Sequence, residues 1–367
     1  MKKLSILIYS MGLGGAEKSL SLLLPYFEKE FEVFLVLMNE TIEFQVPKNI
    51  KVIFLEKSLP FENGIKKLIK IPYLSFKYAK FCQKNNIDIS LSFMVRPNYI
   101  NSLSKKFGNR SKIIISEHSY PSYQYQNNNL QSKINKILIK YLYKFSDEIV
   151  AVSKAVKNDL EKNFALKNVK VIYNPISKEE IIKKSKERVD DFNFDTYTYI
   201  TVGRLDDGKN HEFMIKEFSK LKNNSKLIII GEGVLKNYLQ NLIKELNLEN
   251  RVFLLGEKKN PYKYMLNSDC FLFTSKFESF GIVLIEAMVL NIPIISTNFG
   301  QVTQEILGNN GTENFYLSLK NCDKQNINYD ISKFEIDYIV ELYFNFFNTC
   351  QITKIIITQF QDRKEGA

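Results

Sequence analysis

The chain has 367 residues, more than a single hydrophobic core of about 250 to 300 residues accommodates, so two domains are expected. Its 45% apolar and 25% charged residues are those of a globular chain that folds in water, which excludes wholesale disorder, collagen-like repeats and a multi-span membrane protein. The net charge of +11 is unevenly placed: residues 1–178 carry 28 Lys and Arg against 14 Asp and Glu, and residues 179–367 carry 23 against 26, so the first half is expected to face something anionic.

The N-terminus pairs Lys2 and Lys3 with an apolar run from Leu4 to Tyr9. That run is shorter than the roughly 7 to 15 residues of a signal-peptide core, so it reads as a buried first strand of a cytoplasmic protein. Short β-branched or apolar runs then recur at Leu4–Ser10, Glu32–Met38, Lys51–Glu56, Ile87–Phe93, Lys112–His118, Glu148–Ser153 and Val169–Asn174. Segments of helical length separate most of them, the pattern of βαβ units and a parallel sheet covered on both faces. A charged stretch near residues 175–195 reads as the linker. The strand grammar then restarts at Tyr197–Gly203, Lys226–Gly231, Val252–Gly256, Cys270–Ser275 and Pro293–Asn298, with a last helix over Lys333–Phe347. The expected domains are 1–177 and 178–330, followed by a C-terminal helix and tail over 331–367. Two doubly wound domains would turn the carboxyl ends of their strands toward a shared cleft. Cys82, Cys270, Cys322 and Cys350 are scattered and read as buried apolar fillers rather than a disulfide or zinc framework.

Four segments carry chemistry. Gly12-Leu13-Gly14-Gly15-Ala16-Glu17 follows the first strand and opens a helix, where bare backbone amides can approach a phosphate; a tight turn needs the same glycines. Arg204 and Lys209, in Gly203-Arg204-Leu205-Asp206-Asp207-Gly208-Lys209-Asn210, leave a strand end and suit a diphosphate clamp. Gly231-Glu232-Gly233 follows another strand and admits a planar base or a ribose near the backbone. Glu278-Ser279-Phe280-Gly281-Ile282-Val283-Leu284-Ile285-Glu286 is the most specific: the amides of Phe280, Gly281, Ile282 and Val283 open a helix that favours an anion, and each carboxylate can accept paired sugar hydroxyls.

The ordered set GLGGAE, EHS, GRLDDGKN, GEG and ESFGIVLIE resembles the retaining glycosyltransferase family 4 over roughly residues 1 to 310. Within it, GLGGAEKS, PNYI, GRLDDGKNH, GEGVLK, IKELNLE and NPYKYM resemble the Campylobacter-type N-acetylgalactosamine transferases that extend the lipid-linked glycan of bacterial protein N-glycosylation. The resemblance implies an α/β GT-B fold, two Rossmann-like domains facing a cleft. It also implies that Arg204 and Lys209 hold the diphosphate of a UDP-sugar donor, with Gly14, Gly15 and the following helix completing the cradle. Glu286 would bind the ribose hydroxyls, Glu278 and His118 would face the donor sugar, and Gly233 would flank the uracil together with the segment after Gly256. The acceptor would be a polyprenyl-diphosphate-linked glycan. No two Asp residues are separated by one residue, so the D-x-D metal motif is absent, and transfer is expected to need no metal or other cofactor, the two cations neutralising the leaving group.

Seven lysines and a single acid, Glu62, occupy residues 57–84, interleaved with Leu68, Ile69, Tyr73 and Phe76; Lys133, Lys136, Lys140 and Lys144 form a second helical stripe. Both read as basic amphipathic helices, either the solvated faces of core helices or contacts to an anionic membrane surface on the inner face of the cytoplasmic membrane. The basic pI of 9.1 does not indicate nucleic acid, because no recognised binding module is present and the aromatics fall inside strands and helices. A capsule or lipooligosaccharide transferase with another donor, and a non-catalytic sugar-nucleotide sensor, remain as alternatives.

Overall fold

The structure is a computed structural model and describes residues 1–57, 64–297, 300–308, 315–320 and 329–348. Glu62, Cys322, Cys350, the end of the twelfth expected strand at Asn298 and the tail beyond residue 348 lie outside the described residues. The chain divides into two compact units: Met1–Val152 with Val156–Pro175 and the chain from Lys333, and Ile176–Ser332 with Ser153–Ala155.

The first unit is built on seven strands: β1 (Lys2–Ile8), β2 (Phe31–Leu37), β3 (Lys51–Phe54), β4 (Ile89–Phe93), β5 (Lys112–Glu117), β6 (Glu148–Ala151) and β7 (Val169–Val171). They form one all-parallel sheet in the order β3-β2-β1-β4-β5-β6-β7, with Leu4 of β1 opposite Val33 of β2 and Ile89 of β4. Such sheets are covered on both faces, which is why β1, β2 and β5 carry nearly unbroken apolar runs, while β4 alternates Ser90 and Ser92 with apolar residues and buries both faces all the same. The helix Gly15–Glu30 packs Leu20, Leu23, Leu24 and Phe27 against this sheet. The last described helix, over 336–348, packs into the same core: Phe27 meets Tyr343 at 5.8 Å and Phe347 at 5.6 Å between ring centroids. An aromatic face set some 300 residues from β1 thus closes the first sheet.

The basic stretch after residue 63 forms two helices, Gly64–Ile69 and Ile71–Asn85, the second opened by Pro72 and ended by Asn86 in the left-handed region at φ 51°. Tyr78 of that helix anchors it under the sheet, its hydroxyl 2.8 Å from both Ser5 and Ser90. The second lysine stripe lies on the helix Leu130–Leu142, capped by Asn129, whose side chain accepts from Ser132 N–H at 2.7 Å.

The second unit carries β8 (Thr198–Val202), β9 (Lys226–Ile230), β10 (Val252–Gly256), β11 (Cys270–Phe273) and β12 (Ile294–Ser296), parallel in the order β10-β9-β8-β11-β12. Both sheets therefore reverse strand order once, between β1 and β4 and between β8 and β11. At such a switch point the connections on either side leave to opposite faces and open a crevice at the carboxyl ends of the strands.

Candidate active site

The four chemical segments fall at or beside those two crevices. In the second unit, β8 ends into Gly203-Arg204 and β11 ends into Thr274-Ser275, the two strands of the switch point. The loops are tied together by backbone and side chain: Lys276 N–H donates to Gly208 O at 2.8 Å, and Thr274 Oγ1 donates to Lys209 O at 3.0 Å. Asp206 caps the short turn over Asp207–Lys209 by accepting from Lys209 N–H at 3.2 Å.

The result brings together two residues 69 apart in sequence. Lys209 Nζ is ion-paired with Glu278 Oε1, which also accepts from Ser275 Oγ at 3.0 Å. Their side chains are only 21% and 15% exposed, so this pair is held at the strand ends rather than waving in solvent. Arg204 is different: its side chain is 84% exposed, and Nε lies 3.5 Å from Asp206 Oδ2. A guanidinium so placed contributes little to the stability of the fold.

Gly281 adopts a left-handed conformation at φ 73° and opens the eight-residue helix Ile282–Val289. Phe280 and Val283 bury their side chains beside it, at the helix end whose first amides have no intrahelical acceptor. Glu286 lies within this helix, only 5% exposed, and accepts a hydrogen bond from Tyr262 Oη at 2.9 Å. The glycines after β9 serve a close approach of protein to protein. A Cβ at Gly233 would lie 2.4 Å from Leu205 O, and one at Gly231 would lie 1.9 Å from Gly203 O. Leu205 N–H donates to Glu232 O at 2.9 Å in the same zipper.

In the first unit, the loop after β1 reaches the helix through Gly14, whose flank is covered by the Glu17 carboxylate; a Cβ there would lie 2.1 Å from Glu17 Oε2. Burial raises the Glu17 carboxyl above its ordinary range. A Cβ at Gly15 would meet nothing within 4 Å, so the helix start is open at that residue.

His118 directly follows β5. Its Nε2 is 3.0 Å from Ser116 Oγ, its ring lies 5.1 Å from that of Phe93, and its buried Nδ1 has no partner. Burial lowers its pKa to about 3, which keeps the imidazole neutral. The neighbouring Glu117 is fully buried, and burial raises its carboxyl. It accepts from Tyr143 Oη at 2.5 Å, Ser119 Oγ at 2.6 Å and Ser119 N–H at 2.9 Å, which pins the turn carrying His118.

Sequence reasoning assigned no role to Ser275, Thr274, Glu117 or Tyr262. Ser and Thr at strand ends are too common to stand out, and Tyr262 was visible only as part of NPYKYM. Cys82 and Cys270 are buried free thiols.

Comparison with known proteins agrees with this arrangement. The family profile described as "Glycosyltransferase Family 4" matches residues 13–180, and that described as "Glycosyl transferases group 1" matches residues 179–345. Over 310 residues, 84% of each chain, the protein is 44% identical to the N-acetylgalactosamine-N,N'-diacetylbacillosaminyl-diphospho-undecaprenol 4-alpha-N-acetylgalactosaminyltransferase of Campylobacter jejuni. It is 27% identical over 316 residues, 84% of this chain and 83% of the other, to that organism's GalNAc-alpha-(1->4)-GalNAc-alpha-(1->3)-diNAcBac-PP-undecaprenol alpha-1,4-N-acetyl-D-galactosaminyltransferase. Among solved structures, the Anabaena HepE protein in complex with UDP and glucose superposes with a TM-score of 0.72 at 18% identity, covering 95% of this chain and 100% of its own. The two sheets, each reversed once, the strand-end loops that carry the four motifs and the two matching profiles lead to one conclusion: this chain belongs to glycosyltransferase family 4 and has the GT-B fold of two Rossmann-like domains.

Proposed function

We propose that the protein transfers N-acetylgalactosamine from UDP-N-acetylgalactosamine to a glycan carried on a polyprenyl diphosphate, with retention at the anomeric carbon and without a metal ion. The observation that carries this reading is the 44% identity to the Campylobacter jejuni transferase across both units. The α linkage in that relative's name supports retention, since the sugar of the donor is itself α-linked to diphosphate.

In this reading Arg204 and Lys209 take the diphosphate by charge-assisted hydrogen bonds and stabilise it as it leaves, the task a divalent cation performs in other glycosyltransferases. Gly14, Gly15 and the amides of residues 280–283 add backbone donors for anionic oxygen, and Gly233 borders the base. Glu278 exchanges its bond to Lys209 for a hydroxyl of the donor sugar. Glu286 accepts from the ribose. His118, neutral, offers Nδ1 to the sugar as donor or acceptor according to tautomer. The leaving phosphate then takes the proton of the incoming acceptor hydroxyl on the same face of an oxocarbenium-like sugar: the bond to phosphate breaks, the bond to the acceptor oxygen forms, and UDP departs.

No helix among the described residues is long and apolar enough to cross a membrane. Membrane contact in this proposal is peripheral, on the cytoplasmic face, through Ile65, Ile69, Tyr73 and Phe76, all exposed among Lys66, Lys77 and Lys80. Leu130, Ile137 and Tyr141, exposed among Lys133, Lys140 and Lys144, form the second such surface.

The test is UDP release from a panel of UDP-sugars, with and without a polyprenyl-diphosphate-linked acceptor, in EDTA. Acceptor-dependent turnover of UDP-N-acetylgalactosamine is expected. Turnover of a different UDP-sugar would replace the donor, loss of activity in EDTA with recovery in Mg²⁺ would overturn metal independence, and silence with every donor would favour a non-catalytic sensor.

A further inference from the structure

The geometry points to Tyr262 as a positioning residue for Glu286, setting the carboxylate that receives the ribose; this deepens the proposed function and rests on it. Tyr262 is 6% exposed, and its hydroxyl donates to Glu286 Oε1 at 2.9 Å. The tyrosine is itself held. Its N–H donates to Asn260 Oδ1 at 3.1 Å, and Asn260 Nδ2 donates to Lys184 O at 2.8 Å. Pro261 opens the helix Tyr262–Asn267 and supplies a fixed φ at its start. The run Asn260-Pro261-Tyr262 therefore connects the end of the helix Lys178–Ser185 to the carboxylate of Glu286 through three hydrogen bonds.

A carboxylate offers about four acceptor positions and a ribose diol needs two, so the phenol holds Glu286 without excluding the sugar. Without that donor, the carboxylate loses one of the contacts that set its orientation, and its hydrogen bonds to the diol lose geometry.

The experiment measures binding of UDP, 2′-deoxy-UDP and 3′-deoxy-UDP to wild type, Tyr262→Phe and Glu286→Gln by calorimetry. Wild type is expected to prefer UDP by about tenfold over the deoxy analogues, as a charged acceptor to a sugar hydroxyl provides. In Tyr262→Phe the preference is expected to fall to about twofold, close to that of Glu286→Gln. A merely structural tyrosine would weaken all three ligands alike; a preserved tenfold preference in Tyr262→Phe overturns the inference while leaving Glu286 on the ribose. If wild type does not distinguish the three ligands, Glu286 is not the ribose acceptor, and the reading on which the inference rests fails with it. Thermal unfolding of Tyr262→Phe verifies that the variant is folded.

Discussion

Replacing Lys209 by Met separates the two tasks proposed for that residue. In the free protein it neutralises Glu278, and with donor bound it is to neutralise the diphosphate. Breaking one side of a fully buried ion pair costs about 3 to 5 kcal/mol. Here about a fifth of the lysine side chain remains in solvent, and Ser275 Oγ still donates to the carboxylate, so a cost of about 2 kcal/mol is the working figure. For a unit of this size that corresponds to about 4 to 8 °C in Tm. Loss of one charge-assisted contact to the leaving group should lower turnover by about 10² to 10³. The double variant Lys209→Met/Glu278→Gln removes the orphaned charge, so its Tm should return toward wild type while turnover stays low. The assays are differential scanning fluorimetry and coupled UDP release at saturating acceptor. If the double variant regained turnover together with stability, Lys209 would act only as a counter-ion to Glu278, and the diphosphate role would be wrong.

Arg204→Ala should leave Tm unchanged, because the side chain is almost wholly in solvent, yet lower turnover by about 10² to 10³; wild-type rates would remove Arg204 from the site. Stability should fall with acid through the histidines. Burial lowers His118 to about 3, and burial with the Lys209 charge lowers His211 to about 4, both from 6.5. Above pH 6.5 that contribution is fully present; below it the unfolded chain takes up protons the folded chain refuses, at up to about 1.4 kcal/mol per pH unit per histidine. His211→Gln should flatten the Tm profile between pH 7 and 5, and parallel profiles would refute the shift. Gly231→Ala should cost at least about 1 to 3 kcal/mol from its φ of 151° alone, with a clash at 1.9 Å added, whereas Gly15→Ala should leave Tm in place and raise the donor KM. Ile69, 73% exposed, and Tyr73 should carry part of any binding to anionic vesicles, so Ile69→Ser/Tyr73→Ser should co-sediment less; no binding by wild type at low salt would end the peripheral-membrane proposal.

The strands were legible because each is a local event: a β-branched run such as Ile113-Ile114-Ile115 buries both faces in a parallel sheet wherever it lands, and its neighbours need not be known. The same holds for the helix start at Gly281, whose φ of 73° favours glycine. The lysine-rich segments were legible as amphipathic helices, and the break between Ile69 and Ile71 coincides with Pro72, which opens the second helix.

Glycine spacing singled out Gly231 and Gly233, and the packing of both against the loop after β8 is an approach invisible without knowing that β8 and β9 are neighbours. The pairing of Lys209 with Glu278 depends likewise on β8 lying beside β11, and the bond from Tyr262 to Glu286 on the meeting of two helices whose bonded residues are 24 apart in sequence. The closing of the first sheet by helix 336–348 is of the same kind. Sequence alone determined the two doubly wound domains, the strand-end loops and the charged and glycine residues they carry, since propensity and hydrophobic period act over a few residues. Tertiary structure decided which of those residues touch, because contact between distant segments is set by strand order and by what each side chain meets once water is excluded.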